Sequence, residues 1–378
     1  MIEERSPLHV SNETPPSAER PSPVVVRATV TERAGAKQMV AGLTVLERSL
    51  RQLARTPDRR IVVATDGTVP LPRRMPRGVE VRRLEGDVEA GVAALAAELD
   101  AVVVGGDVVR VGREPVSSGM RVIDGTAAII AEDRVFNDLL RGDLGFIARH
   151  LNKKISFPVT RFALCQLPIT PNQVTLGAAA IGLLGCMLIA SGYYFATVFG
   201  FLLAQAQSIL DGCDGELARV RFQQSRIGEW LDTLVDDFMN LALITSLTAG
   251  QWHAAGSPFA IAGGVAAVGM FAFYNVVSYR ELLRQGVGGE LINIRWKLTR
   301  GRNMKTMVTE QGGGVTQAIL MLGRRDTFVL GWLVLAILHL TPVALLWAVL
   351  AAIPCFTAAV AQVVIKEQPS VDPGRPSG

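Results

Sequence analysis

The chain has 378 residues, of which 49% are hydrophobic and only 19% charged, with a formal net charge of +4. Its mean hydropathy is +0.31. That is apolar for a soluble protein and points to membrane-spanning segments, while so mild a charge excludes the concentrated basic face of a nucleic-acid binder. The four cysteines (165, 186, 213 and 355) show no CxxC spacing, and the four histidines are scattered, so neither a zinc site nor a disulfide framework is indicated.

Residues 1–22 are rich in Pro, Ser, Glu and Arg and lack the apolar stretch of a signal peptide, so a disordered tail is expected. Residues 368–378 read the same way. Residues 23–135 predict a small soluble α/β domain. Val24–Val30, Arg60–Ala64 and Ala101–Val104 are strand-like. Gly42–Ala54 and Val88–Leu99 have helical periodicity. Strands alternating with helices imply a parallel sheet covered on both faces.

This arrangement resembles a shortened nucleotidyltransferase domain of the sugar-phosphate cytidylyltransferase kind. The resemblance would make Asp107, after the strand AVVV, a metal-holding residue, and it places Lys37 near an expected lysine. The glycine-rich phosphate loop is absent: the first strand leads into ATVTERAGAKQ. The expectation is therefore a degenerate domain with a regulatory or structural role.

Residues 136–170 form a bridge. Asp138–His150 and Ile155–Leu167 are amphipathic and suit either an interfacial helix or a linker helix packed on protein. Then comes Pro168-Ile169-Thr170-Pro171-Asn172-Gln173-Val174-Thr175, where the prolines stop one helix and Thr170 or Asn172 can cap the next.

From 171 to 367 the chain reads as membrane. No Asp, Glu, Lys or Arg occurs from Asn172 to Leu210, from Phe238 to Tyr279, or from Thr327 to Ile365. Each run is about twice the roughly 20 residues that cross a bilayer. Breaks are expected at Gly192-Tyr193-Tyr194, from Gly250 to Pro258, and from His339 to Pro342. Three helical hairpins, hence six spans, follow. All intervening charges then share one side, including Arg219, Arg221, Arg226, Arg280, Arg284, Arg295, Arg324 and Arg325. The positive-inside rule makes that side cytoplasmic. Ile292–Met304 is expected as an amphipathic interfacial helix.

Between the first two charge-free runs stands DGCDGELARVRFQQSRIGEWLDTLVD, from Asp211 to Asp236. At about 100° per residue, Asp211, Asp214, Gly215 and Ala218 share one helical stripe, and Gly228, Asp232 and Asp236 share another. If the two helices face each other, four carboxylates converge beside a space cleared by small residues. Such a cluster, with no matching local lysine, suits a hard divalent cation such as Mg²⁺.

The pattern DxxDGxxAR, eight residues, then GxxxDxxxD resembles the signature of the CDP-alcohol phosphotransferase family. It is complete here as Asp211, Asp214, Gly215, Ala218, Arg219, Gly228, Asp232 and Asp236. The resemblance covers the C-terminal half and implies an integral membrane enzyme. Such an enzyme moves a substituted phosphate from a CDP-linked donor to an acceptor alcohol and releases CMP.

The implied roles follow residue by residue. Asp211, Asp214 and Asp232 hold Mg²⁺ or Mn²⁺, as two ions, with Asp236 able to share them and to act as base. Gly215, Ala218 and Gly228 admit the cytidine, and Arg219 contacts the diphosphate. Thr170 and Asn172 lie near the nucleotide. Arg280 and Arg284 would suit a phosphorylated acceptor such as inositol phosphate, or else anchor the topology. The donor is CDP-diacylglycerol or a soluble CDP-inositol type. Homodimers, a lipid bilayer and an inner-membrane location with a cytoplasmic site are implied as well. The remaining alternative is a non-enzymatic scaffold or divalent-cation carrier.

Overall fold

A computed structural model describes residues 21–110, 119–139, 147–286, 289, 291, 294–299 and 324–365. The expected tails (but for residues 21 and 22), most of Asp138–His150, and most of Ile292–Met304 lie outside these residues. The fold is mostly helical with an N-terminal α/β region, and it divides into Met1–Asp138 and Leu139–Gly378.

In the first unit the elements run in this order: β1 (Val24–Ala28), α1 (Arg33–Ala36), β2 (Met39–Val40), β3 (Leu43–Thr44) and α2 (Val45–Leu53). There follow β4 (Ile61–Thr65), β5 (Val79–Arg83), α3 (Val88–Leu99), β6 (Val102–Gly105), β7 (Val108–Val109), β8 (Met120–Arg121) and α4 (Gly125–Leu139). The main sheet has the order β5-β4-β1-β6, and every pairing in it is parallel.

Alternation along β1 builds two cores. Val24 and Val26 join Leu46, Leu50 and Leu53 of α2, while Val25 joins Val92 and Leu95 of α3. This period of two is what a parallel sheet covered on both faces requires. The helix ends are chemically marked. Thr44 accepts from Glu47 N, and Asp87 accepts from Glu89 N and Ala90 N, satisfying donors that the first turn leaves open.

The second unit begins with a π-helical turn (Ala148–Asn152) and α5 (Lys153–Phe162). Long helices follow as α6 (Pro171–Ala190), α7 (Tyr194–Val220), α8 (Arg226–Ala255), α9 (Pro258–Gln285), α10 (Arg325–Ile337) and α11 (Thr341–Val364). Of these, α6, α9 and α11 are long and apolar enough to cross a membrane. Their outward faces carry Leu183, Leu184, Met187, Val265, Leu346 and Leu350, all exposed. An apolar exterior of that extent is a lipid-facing surface.

The helix breaks fall at residues 191–193, 256–257 and 338–340. The second is narrower than the sequence predicts, because α8 continues through Gly250. A Cβ at Gly250 would collide with the Ile189 carbonyl, so this glycine serves a close helix approach rather than a break. Gly185 and Gly200 do the same between α6 and α7: a Cβ on either would sit 2.6 Å from the other's carbonyl oxygen. The core lies between these helices, around Ile189, Phe201, Met239, Leu243, Leu247, Trp332 and Ala348. The described part of Ile292–Met304, residues 294–299, contains one 3₁₀ turn, Lys297–Thr299.

Candidate active site

The acid-bearing segments occupy two facing helix ends. Asp211 and Asp214 lie on the last turns of α7, and Asp232 lies two turns into α8. Ser225 caps α8 by accepting from Gly228 N at 3.0 Å, which fixes where that helix begins. One carboxylate oxygen from each of Asp211, Asp214 and Asp232 lies within 4.8 Å of the others. Of the four carboxylates that the spacing predicts to converge, these three lie together.

Asp236, one turn beyond Asp232, meets a different partner. Its Oδ1 accepts from Nη1 of Arg325, the first residue of α10. The same guanidinium lies 4.0 Å from Asp211 Oδ2, and its Nη2 donates to Gln207 Oε1. The cluster therefore does have a matching cation, supplied from 89 residues away rather than locally.

Asp214 is buried and accepts from the Thr175 hydroxyl, one turn into α6. Thr170 is the N-cap of α6, with Gln173 Oε1 accepting from its backbone N–H at 2.9 Å. Asn172 reaches the start of α8: a Cβ on Gly228 would lie 3.3 Å from Asn172 Oδ1 and 3.1 Å from Ser225 Oγ. On α7, the Arg219 guanidinium lies over Gly215, 3.5 Å from where a Cβ would stand. The structure thus groups Thr170, Asn172, Gly228 and the acids at one end of the bundle. Ala218 lies between Gly215 and Arg219, half-buried.

Two buried clamps hold this end. Glu216, within the acid motif, accepts from Lys153 Nζ at 2.6 Å, Ser156 Oγ at 2.5 Å and Thr160 Oγ1 at 2.7 Å. Arg221 donates to the carbonyls of Leu164, Cys165, Leu167 and Ile169 at 2.8–3.2 Å. It thereby shapes the turn that leads into α6. Asp237, beside the motif, accepts from Tyr279 Oη at 2.5 Å. Arg280 is exposed near the end of α9, and Arg284 pairs with Glu281 at 3.1 Å.

Sequence reasoning passed over Thr175, Gln207, Glu216 and Arg325 as site residues. Thr175 closes the PNQVT element and Glu216 stands inside the motif, so both carried a local signal. Gln207, one turn before Asp211 in a charge-free run, carried a weaker one.

The donor set fits a hard divalent cation. It is all oxygen, it is anionic, and Asp211 Oδ1 is buried with no hydrogen-bond partner among the described residues. In the first unit, Asp107 follows β6 and is buried, with its Oδ2 accepting from Arg121 Nε at 2.6 Å. That bond raises the Arg121 guanidinium above its ordinary value.

An apolar helical bundle with converging aspartates at one end suits a membrane transferase. The chain belongs to the CDP-alcohol phosphatidyltransferase family, whose sequence profile matches residues 168–360. Members of this family generally use divalent metal ions. The chain is 34% identical over 196 residues to a bifunctional IPC transferase and DIPP synthase of Rubrobacter xylanophilus, covering 51% of this chain and 39% of that protein. A protein of the same description from Aquifex aeolicus is 34% identical over 103 residues, 27% of this chain and 23% of its own. An archaetidylinositol phosphate synthase of Pyrococcus horikoshii is 31% identical over 104 residues, 26% of this chain and 53% of its own. The matched stretches thus span between about a quarter and a half of these relatives.

Proposed function

We propose that the protein transfers a substituted phosphate from a CDP-linked donor to an alcohol and releases CMP. The convergence of Asp211, Asp214 and Asp232 carries this reading, because three carboxylates beside the side-chain-free Gly215 would hold divalent cations next to room for a diphosphate. Divalent cations there, Mg²⁺ or Mn²⁺ and two in number, would offset charge on the diphosphate and on the departing CMP.

The chain's own residues do the rest. Asp211, Asp214 and Asp232 are the ligands, with Asp236 at their edge. Arg219 lies over Gly215 and is placed to hold a diphosphate oxygen through a charged hydrogen bond. Asn172 and Gly228 border the space for cytidine. Asp236 takes the proton of the acceptor hydroxyl as its oxygen attacks the phosphorus distal to cytidine.

The donor is CDP-diacylglycerol or a CDP-inositol type, and the acceptor is an inositol phosphate. The description of one relative as an archaetidylinositol phosphate synthase supports that acceptor class. Arg280 and Arg284 are the acceptor-side cations in this reading.

Six spans in three hairpins, over 171–367, place the acid nest on the cytoplasmic face of the inner membrane, and the protein works as a homodimer. Residues 136–170 are its juxtamembrane bridge. Residues 23–135 are a degenerate nucleotidyltransferase-like domain, a reading supported by the parallel sheet and by an Asp107 already committed to Arg121.

The test is CMP release by the purified full-length chain from a panel of CDP-linked donors and alcohols. Release should require Mg²⁺ or Mn²⁺, stop in EDTA, and vanish in folded Asp236→Asn. Metal binding without CMP release from any donor would favour a cation carrier. CMP release unaltered by Asp236→Asn would remove the base assignment.

A further inference from the structure

Arg325 enters a nest that the sequence presents as purely acidic. Its guanidinium meets Asp236 and Gln207, and stands 4.0 Å from Asp211. The side chain is only 13% exposed. Carboxylates withdrawn from water need an opposite charge nearby, and removing it is costly. Yet the compensation is incomplete: among the described residues, neither Arg325 Nε nor Asp211 Oδ1 has a hydrogen-bond partner. Arg325 also opens helix α10, where the helix dipole disfavours a cation. The arginine is thus held by the acids against its own helix.

We propose that Arg325 is a tethered counter-ion that neutralises Asp236 and Asp211 in the metal-free protein and gives them up when divalent cations bind. The inference rests on the metal reading above. Gln207 Oε1, on α7, keeps hold of Nη2 and gives the displaced guanidinium a neutral acceptor within reach. Each ion entering the nest must therefore compete with Arg325. The arginine weakens cation binding while protecting the empty site from self-repulsion. A nest emptied of both would leave Asp211 and Asp236 without that counter-ion.

The experiment is a Mn²⁺ titration of the full chain in detergent, without substrate, by calorimetry, together with thermal unfolding in EDTA and in saturating Mn²⁺. If the engaged arginine leaves about a tenth of the nest competent, Arg325→Met binds Mn²⁺ about tenfold more tightly. It unfolds at a lower temperature in EDTA, and Mn²⁺ closes the gap. Arg325→Lys keeps a charge but loses the fork that spans Asp236 and Gln207. It should shift Mn²⁺ affinity the same way by less, and it carries the test if the methionine variant fails to fold. Equal or weaker Mn²⁺ binding by the folded variants overturns the arginine's role and leaves the metal reading standing. Absence of Mn²⁺ binding by the wild-type chain overturns both.

Discussion

The Lys153 ammonium lies 2.6 Å from Glu216, joining α5 to the helix that carries Asp211 and Asp214. Glu216 is fully buried and two hydroxyls complete its shell. Glu216→Ala strands the lysine and both hydroxyls, and should cost about 3–5 kcal/mol, the range for one partner lost from a buried ion pair. Glu216→Gln keeps an acceptor and should cost less, about 1–3 kcal/mol. Thermal unfolding in detergent measures both, and equal small losses would mean the network is not a clamp.

Much of this end of the molecule is legible in the sequence because its geometry is local. Asp211 and Asp214 share a face by helical period alone, and of the two caps that the sequence offers for α6, Thr170 is the one used, with Pro171 as the first helical residue. The parallel sheet follows from short apolar runs alternating with helices. What is not legible depends on distance or on ambiguous residues. Asp214 and Thr175 are 39 positions apart, and Asp236 and Arg325 are 89 apart. Arg325 reads as one more cation on the charged side, since topology alone accounts for it. Gly250 reads as a helix break because glycine permits a break, a close approach or both. The backbone of Ile189 selects the close approach.

Thr175 donates to Asp214 from a neighbouring helix, so it orients a carboxylate that would hold metal. Outer partners of that kind are worth about 10–100-fold in metal affinity or activity. Thr175→Val keeps the shape and removes the hydroxyl. It should weaken Mn²⁺ binding in that range, and Thr175→Ser should restore most of it. Calorimetric titration separates the two, and valine binding as tightly as threonine would remove Thr175 from the site.

Asp107 and Arg121 define a test for the N-terminal unit. Asp107 is buried, and Arg121 is half exposed. If Asp107 is structural, Asp107→Asn weakens the bond to Arg121 and leaves CMP release by the full chain unchanged. The expected sign is a loss of protection in residues 102–110 and 119–121 by hydrogen exchange, with no change in membrane activity. If Asp107 instead serves nucleotidyl transfer, the wild-type chain makes a CDP-alcohol from CTP and the variant does not.

Arg221 gives the sharpest contrast between charge and shape. Its guanidinium donates to four carbonyls between Leu164 and Ile169, and that turn leads through Thr170 to Asn172, which reaches the start of α8. An ammonium has three donors at a single point and cannot span four acceptors, so Arg221→Lys leaves carbonyls unpaired although the charge is kept. Each buried orphan costs about 1–3 kcal/mol. The loss should fall on the turn rather than on the acids. KM for the CDP-linked donor should therefore rise severalfold while Mn²⁺ affinity stays within about twofold, because the carboxylates sit on α7 and α8 and not on the displaced turn. Steady-state kinetics set beside a metal titration decides the point: parallel losses of donor and metal binding would show that Arg221 supports the whole bundle end and not the nucleotide side alone.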